Sequence, residues 1–134
     1  MAVTLTPVSR IEVEQTSVKP TGAAGAALLS GGLGLFAMSI SQVMAEGSEA
    51  AKTAIHNLGK LWIPGAQGIG PYSGKETIAL AVWLVSWAIL HYVLRRREIN
   101  LTAYGIAFLL LIGLSTTIFW PPATHAVVQA FYPK

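Results

Sequence analysis

The chain has 134 residues, of which 53% are hydrophobic and 11% are charged, and it contains no cysteine. Soluble domains contain roughly 25% charged residues, and a soluble chain this short could not bury so much apolar surface. Disulfides and thiolate chemistry are excluded, and the only dense basic run, Arg95 to Arg97, has no aromatic residues interleaved with it, which disfavours nucleic-acid binding.

Three long segments without Asp, Glu, Lys or Arg are candidate membrane spans. A helix rises about 1.5 Å per residue, so about 20 residues cross a hydrocarbon core of about 30 Å. The third segment should end near Trp120, because the two prolines that follow cannot continue a helix. We therefore predict an all-α integral membrane protein with a polar N-terminal tail at 1–19, spans at 20–45, 77–95 and 99–120, an outer loop at 46–76 and a C-terminal tail at 121–134.

The first span has a face of small residues that recur every four positions, Gly22, Ala26, Ser30 and Gly34. In lipid, small residues at this spacing allow two helix backbones to approach closely. We expect this face to pack against another helix, either within the chain's own bundle or on a foreign subunit.

The same segment also has features of a secretory signal. Val43 and Ala45 occupy the −3 and −1 positions of an A-x-A-like cleavage site, which would make Glu46 the first residue of a mature chain. The polar leader before the segment is about twenty residues long and mixed in charge, unlike the short basic leader of a signal peptide. We expect the span to be retained.

The outer loop contains a predicted amphipathic helix over 48–63. Ser48 is a suitable N-cap, and Ala51, Ile55, Leu58 and Trp62 follow at helical spacing. We expect this helix to lie along the membrane interface. The residues after it, PGAQGIGPYSGKE, contain four glycines and two prolines and predict an irregular loop, and the glycines lack the spacing of a nucleotide-binding motif.

The basic residues near the span ends predict the orientation. The short 95–98 loop contains three arginines and should face the cytoplasm, or the stroma-like side of a photosynthetic membrane. This places five basic residues inside and four outside, so the assignment depends on the arginine density of that loop.

The sequence contains little that could support catalysis. It has no H-E-x-x-H motif, no paired carboxylates within a span and no Ser/His/Asp set that could be assembled. The charge-free segments also lack the intramembrane carboxylates and cations of pumps. We predict neither an enzyme nor a metal site.

One helix face in the second span could bind a cofactor. Trp83, Trp87 and His91 recur every four residues, and tryptophan is less expected at mid-depth than at the interface. His91 could ligate the metal of a chlorin or haem between the indoles. A bis-histidine haem would need a second histidine, so a five-coordinate chlorophyll is favoured among cofactors. Alternatively, His91 is an interfacial histidine about one turn from Arg95 that bonds lipid or a neighbouring carbonyl.

The outer loop LWIPGAQGIGPYSGKE, the span that follows it and the FWPP exit resemble small hydrophobic proteins of cyanobacterial thylakoid membranes. Those proteins accompany photosystems or the related NAD(P)H dehydrogenase-like complex, and the resemblance covers about residues 59–122. It implies a non-catalytic accessory or structural subunit, held by other integral membrane subunits and lipid. The alternatives are a transient assembly or regulatory factor and, third, a homo-oligomeric channel or carrier.

Overall fold

A computed structural model describes residues 20–133; the predicted tail at 1–19 and Lys134 lie outside the described residues. Within that range the chain forms helices and turns and no strand. The helices are α1 (Gly22–Gly47), α2 (Glu49–Lys60), α3 (Tyr72–Leu94), α4 (Leu101–Phe119) and α5 (Pro121–Phe131), with a 3-10 turn at Ala66–Gly68. Three of them, α1, α3 and α4, are long and apolar enough to cross a membrane. The predicted all-α membrane fold is confirmed.

Helix α1 lies at the centre, with α3 and α4 packed on different faces of it. It runs antiparallel to α3, since Gly22 near its start lies against Leu94 and Gly34 lies against Trp83. It runs parallel to α4, where Gly32 meets Leu111. Because α3 and α4 barely touch each other, the three long helices form a layer with α1 in the middle rather than a closed bundle.

At one end of this layer, which we call the arginine end, hydrogen bonds join the start of α1 to the loop between α3 and α4. The Gly22 amide donates to the Arg97 carbonyl at 3.1 Å. The Thr21 hydroxyl donates to the Ile99 carbonyl and accepts from the Ile99 amide, both at 3.0 Å. These bonds satisfy loop groups that would otherwise lie unpaired near hydrocarbon.

The opposite end, which we call the α5 end, is covered by the two short helices. Helix α2 begins after Ser48, whose hydroxyl accepts from the Ala51 amide at 3.3 Å, and it crosses the first turn of α3. The crossing is close because glycines meet there: Gly59 lies on Ser73, and Gly74 lies on the Ile55 carbonyl.

Helix α5 was not predicted from the sequence. The prolines that end α4 occupy the first positions of α5, where a helix has no need of an amide donor and the fixed φ of proline is favourable. The Thr124 hydroxyl donates to the Ile118 carbonyl, and Tyr132 packs on Gly47. Most of the predicted C-terminal tail, Pro121–Phe131, is therefore a helix that folds back onto the end of α1.

Candidate functional site

The small-residue face of α1 faces α3 of the same chain. Gly22, Ala26, Ser30 and Gly34 are all buried. A Cβ on Gly34 would lie 2.9 Å from Trp83 Cβ and 3.1 Å from the Ala79 carbonyl oxygen, and a Cβ on Gly22 would overlap the Leu94 carbonyl. The absence of side chains at these two positions is what lets the backbones of α1 and α3 approach so closely.

A second small-residue face of α1 contacts α4. This face was not predicted from the sequence. Gly25, Gly32 and Ser39 recur every seven residues and are all buried. Gly25 packs against Tyr104, and a Cβ on Gly32 would lie 2.9 Å from Leu111 Cδ1. A seven-residue period is the signal of a helix-packing seam, and it could have been found beside the four-residue period.

The outward surfaces of α3 and α4 are apolar and have no neighbour among the described residues. Val85 on α3 is 59% exposed and Leu110 on α4 is 68% exposed. Further large exposed side chains follow on both helices, namely Leu84, Ile89, Val93, Ile106, Leu109 and Leu114. Such surfaces are stable only against hydrocarbon or against other apolar helices.

Trp83, Trp87 and His91 share one side of α3, toward its arginine end. The Cβ atom of Trp83 lies against Gly34, and Trp83 as a whole is 44% exposed. Trp87, which is 42% exposed, stacks on the His91 ring with 5.3 Å between centroids and 30° between planes. The hydrogen bonds found among residues 20–133 include none from the His91 imidazole.

If a chlorin metal were bound here, His91 would supply one imidazole nitrogen to it. Trp87 stacks on the imidazole and would hold that ring in position, whereas the sequence suggested that Trp87 packs against the pigment.

A polar cluster at the α5 end joins α1 to α3. Lys75 is only 3% exposed, and its ammonium donates to Gln42 Oε1 at 2.6 Å. Gln42 Nε2 in turn donates to Glu46 Oε1 at 3.3 Å, and the Lys75 ammonium lies 5.0 Å from the centre of the Tyr72 ring. A buried cation is tolerated only where such partners exist. The sequence predicts Lys75 in the loop ahead of the span, but α3 already starts at Tyr72 and Lys75 is buried within its first turn.

Histidines and carboxylates do not converge on a metal site in the part of the chain that the structure describes. No group of three or more His, Asp or Glu side chains is placed there to hold an ion. His56 instead bonds the Gly70 carbonyl through Nδ1 at 2.6 Å, which fastens α2 to the glycine-rich loop.

Comparison with known proteins identifies no relative of this chain. No protein family, curated protein or solved structure matches it significantly. Its function must therefore be inferred from the chemistry and geometry of its own residues.

Proposed function

We propose that this chain is a non-catalytic accessory or structural subunit of a larger membrane complex, in a thylakoid or another electron-transfer membrane. The observation that carries the proposal is the open three-helix layer. Helix α1 contacts α3 and α4 on two faces, while within residues 20–133 α3 and α4 have no further helical neighbour across most of their length. A layer of this kind has room on both sides for the helices of other subunits.

Helix packing in lipid supports this assignment. Apolar burial gives no net drive between helices in a membrane, so close packing depends on small residues and polar contacts. This chain uses its main small-residue faces, those of α1, internally. The outward surfaces of α3 and α4 carry many large apolar side chains, which suits contact with a larger complex and its bound lipids more than a narrow pore between copies of the chain.

The second element of the proposal is a pigment on α3. His91 would supply one nitrogen to the metal of a chlorophyll, and Trp87 would orient the imidazole. The bound pigment would supply light absorption. If so, His91→Leu and Trp87→Leu should both change the absorption band of the purified assembly. Unchanged pigment content and spectrum in both variants would leave His91 as an interfacial histidine beside the arginine loop.

Orientation completes the proposal. The Arg95–Arg97 loop would face the cytoplasm or stroma, and α2 and α5 would lie on the other side. The support is the arginine density of the loop together with its position at the end of the layer opposite α2 and α5.

Site-specific photo-crosslinking tests the proposed role. A photoreactive amino acid at Val85 or Leu110 should capture a defined membrane subunit in most of the protein population, because both side chains point away from α1. The same group at Gln67, in the exposed glycine-rich loop, is the matched control. Capture in a small fraction of the population would indicate a transient assembly factor. Crosslinks only to lipid, or only to a second copy of the chain, would contradict the proposal.

A further inference from the structure

A large cavity lies at the α5 end, between the last turn of α1 and helix α5. It has a volume of about 600 Å³, within the range of small-ligand sites. We call it the α5 crevice; its lining residues are Glu46, His125, Val128, Gln129, Tyr132 and Pro133.

A second cavity borders the α5 crevice on the side of α4. It has a volume of about 200 Å³, shares Glu46 and His125 with the crevice and adds Gln42, Phe119 and Pro121. Phe119 is the last residue of α4, one of the three apolar helices that can cross a membrane. The two cavities are therefore neighbours, and the second one reaches the last residue of an apolar helix.

The groups in the crevice suit an uncharged ligand. Glu46 is the only carboxylate among its lining residues, and none of them is Lys or Arg. The charge of Glu46 is offset by buried Lys75 through the bridging Gln42 amide. Among the described residues that line the crevice, a phosphate headgroup would meet a carboxylate and neither a lysine nor an arginine, whereas hydroxyl groups can donate to Glu46 and exchange hydrogen bonds with His125 and Gln129.

We propose that the α5 crevice binds the sugar headgroup of a neutral glycolipid. The carboxylate, imidazole and amide supply both donors and acceptors for several hydroxyls, and Tyr132 supplies an apolar wall. The acyl chains would leave past Phe119 into the bilayer. The proposal concerns the crevice alone and does not depend on which complex holds the chain.

A lipid competition experiment tests this site. The full chain, stripped of lipid in detergent, is offered equal amounts of galactosyl diacylglycerol, phosphatidylcholine and phosphatidylglycerol with the same acyl chains, and retained lipid is measured by native mass spectrometry. We expect the galactolipid to be retained preferentially. Gln129→Ala and His125→Ala should each reduce its retention about tenfold, since each removes hydrogen bonds to hydroxyls.

The controls separate binding from folding. Gln129 is exposed on α5, so Gln129→Ala should leave the helical content unchanged. Gln67→Ala, in the loop outside the crevice, should retain galactolipid as the unaltered chain does. Equal retention of the three lipids, preference for phosphatidylglycerol, or unchanged retention in both crevice variants would overturn the proposal. Binding of free methyl galactoside as tightly as the galactolipid would overturn the assignment to a lipid.

Discussion

Replacing Gly34 by leucine should separate α1 from α3 where Gly34 lies against Trp83, near the middle of both helices. The new Cβ would lie 2.9 Å from Trp83 Cβ, whereas carbon atoms in contact stand about 3.5–4.0 Å apart, so the helices must move apart by roughly 0.5–1 Å. Three further carbons would then compete for the same space. Overpacking of this kind costs about 1–3 kcal/mol, which is at least about fivefold in the unfolding equilibrium.

Gly113→Leu on α4 is the matched control, because no atom lies within 4 Å of a Cβ built at Gly113. Both substitutions replace glycine by leucine and raise the helix propensity equally. The difference between their unfolding midpoints therefore measures the effect of crowding the α1–α3 contact. The assay is unfolding by sodium dodecyl sulfate in mild detergent micelles, followed by far-UV circular dichroism. Gly34→Leu should unfold at a clearly lower denaturant fraction than Gly113→Leu. Equal midpoints would refute the close approach of α1 and α3.

Gln42→Leu should destabilise the chain by about 1.5–3 kcal/mol in the same assay, because it removes the hydrogen-bond acceptor of the buried Lys75 ammonium. The double variant with Lys75→Met should recover most of the lost stability. Additive effects of the two substitutions would contradict the coupling of these residues. A cysteine at Gln67 and one at Asn100 should react with a membrane-impermeant thiol reagent from opposite sides of sealed vesicles, and labelling from one side would contradict the three-span topology. N-terminal sequencing of the native protein should show that the segment before Glu46 is retained, because α3 and α4 both pack on α1; a start at Glu46 would contradict this.

The long helices could be predicted because a charge-free run of about 20 residues has few alternatives in a chain this apolar. Their ends were harder to place. Helix α3 starts at Tyr72. The span was predicted to start at Thr77, because Lys75 and Glu76 were expected to lie outside it. The partners that allow Lys75 to be buried lie 33 residues away at Gln42, and such a distant contact leaves no local pattern in the sequence.

Helix α5 was missed for a related reason. Two consecutive prolines end one helix and are also favourable at the start of the next. The prediction took them only as the end of the third span. The Trp83, Trp87 and His91 face was visible in the sequence, but the stacking of Trp87 on His91 depends on side-chain rotamers and required coordinates. The α5 crevice could not be foreseen either, because it forms only when α5 folds back beside Glu46.

The native mass of the assembly tests the proposed subunit role most directly. The chain alone has a mass of 14.2 kDa. After solubilisation in a mild detergent and affinity purification, native mass spectrometry should give a particle that contains this chain in a fixed ratio with other integral membrane subunits. A particle of 14.2 kDa, or an integer multiple of that mass with no other protein, would contradict the account.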